Sequence, residues 1–181
     1  MSRTNQKIMS QQKKVSDSKV EMTEMVMPND TNPLGNLMGG NLMRWMDVAG
    51  SICAAKHCGA HVVTASVDHL SFKRPIRLGN VVVIRASVTR AFNTSLEIFL
   101  EVETGSPIHA HRQIANRAYM TFVALDEDTQ RPKPVPSVVP ETEEEIKLFE
   151  GAIHRRELRL ILAGKMEISD ATELKALFAR S

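Results

Sequence analysis

Between residues 96 and 103 the chain alternates. Leu96, Ile98, Leu100 and Val102 fall on one side and Glu97, Glu101 and Glu103 on the other, with Phe99 the exception. A period of two predicts a half-buried antiparallel strand. Runs rich in β-branched residues predict further strands over 62–72 and 81–91, and one long bent strand over 108–125. VEMTEMVMP (20–28) alternates well enough for another. Turn-forming stretches separate them: NDTNPLGN (29–36), KRPIRLGN (73–80), FNTS (92–95) and TGSP (104–107). One segment keeps neither alternation nor a polar face. LMRWMDVAGSICAA (42–55) is apolar almost all round, which predicts a buried helix. It opens at the glycine pair Gly39 and Gly40, runs to about Lys56, and has Gly59 as its stop. Asp47 stands in its middle, a carboxylate where burial is expected.

The order is therefore strand, long helix, then four strands joined by short turns, a pattern that reads as a consecutive antiparallel meander. A helix apolar on every side needs cover on every side. One curved sheet supplies most of it, and a second copy of the chain the rest. Beyond the strands, RPKPVPSVVP (131–140) has four prolines and extended character. Thr142 and Glu145 form a T-x-x-E capping box ahead of a helical stripe of Ile146, Phe149 and Ile153, and a short last helix is expected from Asp170. The expected organisation is a disordered basic tail over 1–17, a folded α+β domain over 18–130, a proline-rich connector over 131–140 and a helical extension over 141–181.

Composition narrows the class. At 43% apolar and 24% charged residues, with a net charge of +2, the chain is ordinary for a globular protein, and its charge names no partner. The basic excess of residues 1–20 (Arg3, Lys7, Lys13, Lys14 and Lys19 against Asp17) reads as a solvated tail rather than a nucleic-acid or membrane arm. There is no apolar run of roughly 18 residues and no signal-like N-terminus. The two cysteines, Cys53 and Cys58, make no disulfide framework. The expectation is a cytoplasmic protein without nucleic-acid partners or membrane insertion. His57, Cys58 and His61 have a spacing that matches no strong zinc signature, and no fourth ligand is in view, so no metal is expected. His109 and His111 read as ordinary sheet residues and Cys53 as helix core.

The candidate chemistry lies at the helix. Gly39 and Gly40 leave uncovered N–H groups at its positive end, which suits a developing oxyanion. Asp47 lies two turns further on, walled by Met43 and Met46. A desolvated carboxylate can act as general base on water or attack directly, and the residues leave both open. The structural alternatives are a buried ion pair of Asp47 with Arg44, an Asx turn at Asn32 before Pro33, and close helix–sheet packing at the glycines.

The run MPNDTNPLGNLMGGNLMRWMDVAG, followed by HVVTASVDHLSFKRPIRLGNVV and later PVPSVVPETEEEIKLFE, resembles the hotdog-fold acyl-CoA thioesterases of the cytosolic acyl-CoA hydrolase type. The G-N-x-x-G-G…M-D-x-A-G spacing is the specific part, and the resemblance covers roughly residues 22 to 150. It implies an α+β hotdog fold: an antiparallel sheet of about five strands wrapped around one long central helix, here with a C-terminal helical extension. It implies pairing into dimers and assembly into hexamers, and hydrolysis of fatty acyl-CoA to free acid and CoA. Coenzyme A is then part of the substrate, and no cofactor is expected. By the same resemblance Asp47 is catalytic, and Asn32 matches an asparagine that is catalytic in some members. Two-domain members divide these residues between their halves, so one chain carrying both implies a homodimer with two equivalent sites. Among the basic residues near strand ends (Lys73, Arg74, Arg77, Arg90, Arg112 and Arg117), Arg74 and Arg90 are the candidates for the CoA phosphates. The competing readings are a hotdog dehydratase or isomerase and a non-catalytic acyl-CoA-binding module. The first usually needs a histidine that this helix lacks. The second usually carries a longer N-terminal DNA-binding region.

Overall fold

The computed structural model describes residues 11–68, 70, 74–109 and 111–179. Two compact units divide the chain, Met1–Val139 and Pro140–Ser181. In the first unit the elements are β1 (Gln12–Lys14), β2 (Val20–Met25), α1 (Gly39–Cys58), β3 (His61–Val67), β4 (Val81–Ala91), β5 (Ser95–Gly105), β6 (Arg112–Leu125) and β7 (Ser137–Val139). Strands β2, β4, β5, β6 and β3 form, in that order, one antiparallel sheet, and α1 contacts all five of them. A curled five-stranded sheet around one central helix is the hotdog architecture expected from the sequence.

The alternation of β5 places its register. Leu96, Ile98, Leu100 and Val102 are each 0% exposed and face the helix. Phe122 of β6 lies directly behind α1: a Cβ built on Gly50 would meet its Cζ at 2.9 Å. At Gly50 the helix lies so near this ring that an added Cβ would require the ring to shift. On the convex face the glutamates pair. Arg117 reaches Glu101 at 2.7 Å, and Arg85 reaches Glu103 at 2.9 Å and Glu21 at 2.8 Å. Glu97 departs from the solvated face its alternation predicted. It is fully buried and accepts a 2.6 Å hydrogen bond from the Thr89 hydroxyl.

Three expectations are corrected. The strands after α1 are not a consecutive meander, because β3 pairs with β6 and not with β4. Between β3 and β4 the chain passes from one sheet edge to the opposite side, leaving β2 and β3 as the two edges. The tail predicted over 1–17 is structured where it is described. Gln12–Lys14 pairs in parallel with Ser137–Val139, and Val15 of the following 3-10 turn is 1% exposed. Residues 1–10 lie outside the described residues. The proline connector is thereby part strand. A local pattern cannot announce this pairing, because its two halves are more than a hundred residues apart and each is three residues long.

The sheet was expected to cover most of α1 and a second copy the rest, and in the single protomer part of the helix is open. Leu42, Trp45, Met46, Ala49, Cys53 and Ala54 are buried, while Met43, Val48 and Ile52 are 37–46% exposed along one strip. Gly59 ends the helix in the left-handed conformation at φ 60°, as predicted. In the second unit, α2 (Glu143–Leu162) begins with the capping box read from the sequence: the Thr142 hydroxyl accepts from Glu145 N, and the Glu145 carboxylate from Thr142 N. The Glu157 carboxylate accepts from Glu173 N and Leu174 N at the start of α3 (Thr172–Ala179), tying the two helices together.

Candidate active site

Apart from Arg90, the predicted site residues fall into two groups that share no member. The first centres on Asp47. It is half-buried on the open strip of α1, between Met43 and Val48, and faces edge strand β3. Its Oδ1 accepts a 2.5 Å hydrogen bond from the Thr64 hydroxyl. That length is at the short end for a hydroxyl donating to a carboxylate, where charge strengthens the bond. Among the described residues Asp47 has no ion pair, so the alternative with Arg44 is not realised. Among the described residues its second carboxylate oxygen accepts no hydrogen bond.

Thr64 escaped the sequence reading. A β-bulge between Thr64 and Ser66 changes the strand's parity. Thr64 pairs across with Phe122, whose ring faces the helix, so the hydroxyl points at α1. Only the register of β3 against β6 reveals this, and sequence alone does not contain it.

The second group surrounds the start of α1. Asn32, Asn36, Gly39, Leu42 and Arg74 line a cavity of about 300 Å³ with Leu37, Pro75 and Ile76. Asn32 is the Asx-turn residue that its neighbour Pro33 suggested. Its Oδ1 accepts from Leu34 N at 3.0 Å and Asn36 N at 3.2 Å. The turn consumes the carbonyl oxygen and leaves the Nδ2 amide as a donor. Met38 caps the helix with backbone alone, and no side-chain cap covers its first turn. Among the described residues the N–H groups of Gly39 and Gly40 have no partner. A Cβ on Gly40 would meet nothing within 4 Å, so close packing does not explain that glycine. Orphan N–H donors, an amide donor and a guanidinium together suit a ligand carrying oxygen-centred negative charge.

Asp47 lies seven residues beyond Gly40, about 10 Å along the helix axis. The two candidate arginines are further apart. Arg74 donates to the Gln113 side-chain carbonyl, and Gln113 is in register with Thr104 and through it with Val82. Arg90 lies eight residues beyond Val82 on β4, about 26 Å at strand rise, opposite Glu97 on the face away from α1. One protomer therefore does not bring Arg74 and Arg90 to one phosphate group. Lys73 lies outside the described residues.

Of the histidine and cysteine candidates, His57 and Cys53 are packed into the core. His57 is fully buried, and its Nε2–H donates to the Pro136 carbonyl at 3.1 Å, while its Nδ1 has no partner. Burial lowers its pKa below the ordinary 6.5. Burial pushes the thiols of Cys53 and Cys58 up to about 12, which leaves them unreactive at neutral pH. Among the described residues no cluster of three or more His, Cys, Asp or Glu could hold a metal ion. No described helix is long and apolar enough to cross a membrane.

A family model described as the thioesterase superfamily matches residues 34–109. An uncharacterized acyl-CoA thioester hydrolase of Bacillus subtilis is 43% identical over 139 residues, 77% of this chain and 80% of that protein. Among solved structures, an apo hexameric acyl-CoA thioesterase superposes with a TM-score of 0.81 at 37% identity, covering 84% of this chain and 97% of its own. The acyl-CoA hydrolase of Staphylococcus aureus, solved with butyryl coenzyme A and coenzyme A, gives 0.78 at 36% identity, covering 85% of this chain and 95% of its own. That enzyme has also been solved as variants in which an asparagine, an aspartate and a threonine are each changed to alanine. Their intervals in sequence equal those between Asn32, Asp47 and Thr64.

Proposed function

The chain belongs to the thioesterase superfamily and is an acyl-CoA thioester hydrolase, and from that premise we propose that Asp47 activates the attacking water at a site built by two copies of the chain. The observation that carries this reading is the short Thr64–Asp47 hydrogen bond on an open helix strip. Thr64 holds one carboxylate oxygen and fixes the plane of the group. The other oxygen takes the proton as water attacks the thioester carbonyl. The tetrahedral oxyanion needs donors, and the N–H groups of Gly39 and Gly40 with the Asn32 amide are suited to supply them. Collapse of the intermediate breaks the C–S bond and releases the fatty acid, with CoA leaving as its thiol once protonated. Direct attack by Asp47, through an anhydride, uses the same geometry.

Two copies are required because the donors and the carboxylate form separate groups within one protomer. The strip of Met43, Val48 and Ile52 and the free edge of β3 are the unsatisfied surfaces beside Asp47. A second copy seated there would bring Asn32 and the glycine donors of the partner subunit toward Asp47, and would desolvate it. The hexameric state of structural relatives supports a hexamer built from such dimers. The uncovered cation Arg74 is the candidate for the CoA phosphates; Arg90, which faces away from α1, no longer is.

Complementation tests the shared site. Asp47→Asn and Asn32→Ala chains are each nearly inactive alone. Coexpressed, a mixed dimer contains one site with both defects and one with neither. Thiol release should recover to a sizeable fraction of wild type. No recovery in a verified mixed oligomer would place both residues in one protomer's site and refute the reading.

A further inference from the structure

We propose that Gln113 is a positioning residue that holds the Arg74 guanidinium toward the anionic end of acyl-CoA, an inference that rests on the reading of Arg74 as a phosphate-binding residue. Two independent features of the fold converge on it. The first is the contact itself, Arg74 Nη1 donating to Gln113 Oε1. The second is a β-bulge that places Gln113 where this contact can form.

In β6 the even-numbered residues Ala118, Met120, Phe122 and Ala124 are buried against the helix. By that parity Gln113 would point to the convex face. Between Asn116 and Ile114 the pairing with β5 slips by one residue, so Ala115 is extra. Beyond the bulge Gln113 pairs with Thr104, which shares the inward parity of Leu100 and Val102 on β5. Side chains directly opposite in a ladder share a face. The bulge thus turns Gln113 inward and sends Ile114 out to 46% exposure opposite Glu103. Exposing an isoleucine works against folding, so the bulge is more readily explained by where it aims Gln113.

The chemistry of the pair fits this role. Arg74 lines the cavity that also contains Asn32 and Gly39. Among the described residues no carboxylate lies within ion-pair distance of it. Arg85 and Arg117 on the same sheet, by contrast, are paired with glutamates. A guanidinium has five N–H donors. A neutral amide carbonyl occupies one of them and restrains a long, exposed side chain without cancelling its charge, so the remaining donors and the full charge stay available to a phosphate.

The test compares acyl-CoA with the same acyl group on N-acetylcysteamine, a thiol without phosphates. Gln113→Ala should raise KM for acyl-CoA by about three- to tenfold, the scale of one lost orienting hydrogen bond. It should leave kcat within twofold and the truncated substrate unaffected. Gln113→Glu keeps a partner for Arg74 but neutralises it, and should raise KM for acyl-CoA at least as far. In an Arg74→Ala background Gln113→Ala should add nothing. If Arg74→Ala raises KM and the Gln113 variants do not, the positioning role is overturned and the phosphate reading stands. If Arg74→Ala itself leaves KM for acyl-CoA unchanged, the phosphate reading falls and the inference with it. Equal losses on both substrates, with a lower melting temperature, would make Gln113 merely structural and overturn the proposal.

Discussion

Thr64→Val tests the proposed site most directly. Valine keeps the shape and β-branching that suit a strand, and removes only the hydroxyl. The bond lost is 2.5 Å long and donates to a carboxylate. Hydrogen bonds to charged groups contribute roughly 1.5–3 kcal/mol, and one decade of rate corresponds to about 1.4 kcal/mol. If the bond acts mainly in the transition state, where Asp47 must present its free oxygen to water, kcat should fall about 10- to 100-fold. KM should change little, because Thr64 touches the carboxylate and lies outside the cavity around Arg74. Folding should be nearly indifferent, since Thr64 is exposed in the protomer. Thr64→Ser keeps the donor and should retain most activity. The assay is initial-rate thiol release alongside thermal melting. A Thr64→Val protein with kcat within twofold of wild type would falsify the orienting role. A large stability loss with unchanged kcat would assign the bond to folding.

The remaining predictions follow from packing, titration and assembly. Gly50→Ala should destabilise by about 1–3 kcal/mol, because its Cβ would lie 2.9 Å from the Phe122 ring. For a chain of this size that is a melting temperature lower by about 2–10 °C, and an unchanged value would mean the ring yields freely. Gly40→Ala, with open space for its Cβ, should hold or raise stability, by up to ~1 kcal/mol, and circular dichroism melts of the two variants should differ in sign. His57 titrates in the unfolded chain near 6.5 but is held neutral in the fold by burial, facing Lys13, Asp17 and the Pro136 carbonyl. Stability is therefore full above about 6.5 and declines as pH falls toward the lowered folded pKa, since the unfolded state then binds more protons. His57→Gln, which can still donate to Pro136, should flatten that decline in urea titrations across this range. Light scattering should find at least a dimer at micromolar concentration, and a stable, active monomer would refute the two-copy site.

Local physics made much of this protein legible in its sequence. The alternation of Leu96 to Val102 fixed which face of β5 is buried, because a strand's period of two admits one answer. Gly59 marked the end of the central helix, since its left-handed turn asks for glycine. Thr142 and Glu145 announced a helix start through a reciprocal bond between near neighbours. The glycine pair and Asp47 stood out because they contradict their apolar surroundings. Other features depend on what lies opposite a residue in space, and only the tertiary structure decided them. The strand order, with β3 set beside β6, rests on long-range pairing that no local period encodes. The bulges at Ala65 and Ala115 invert parity, which hid Thr64 and Gln113 from any reading of alternation. Arg74 and Arg90 looked equivalent along the chain and proved to lie far apart, on different faces of the sheet. A sequence specifies each residue's own preferences. Its neighbours are set by how separated segments close on one another, and catalytic geometry is a property of neighbours.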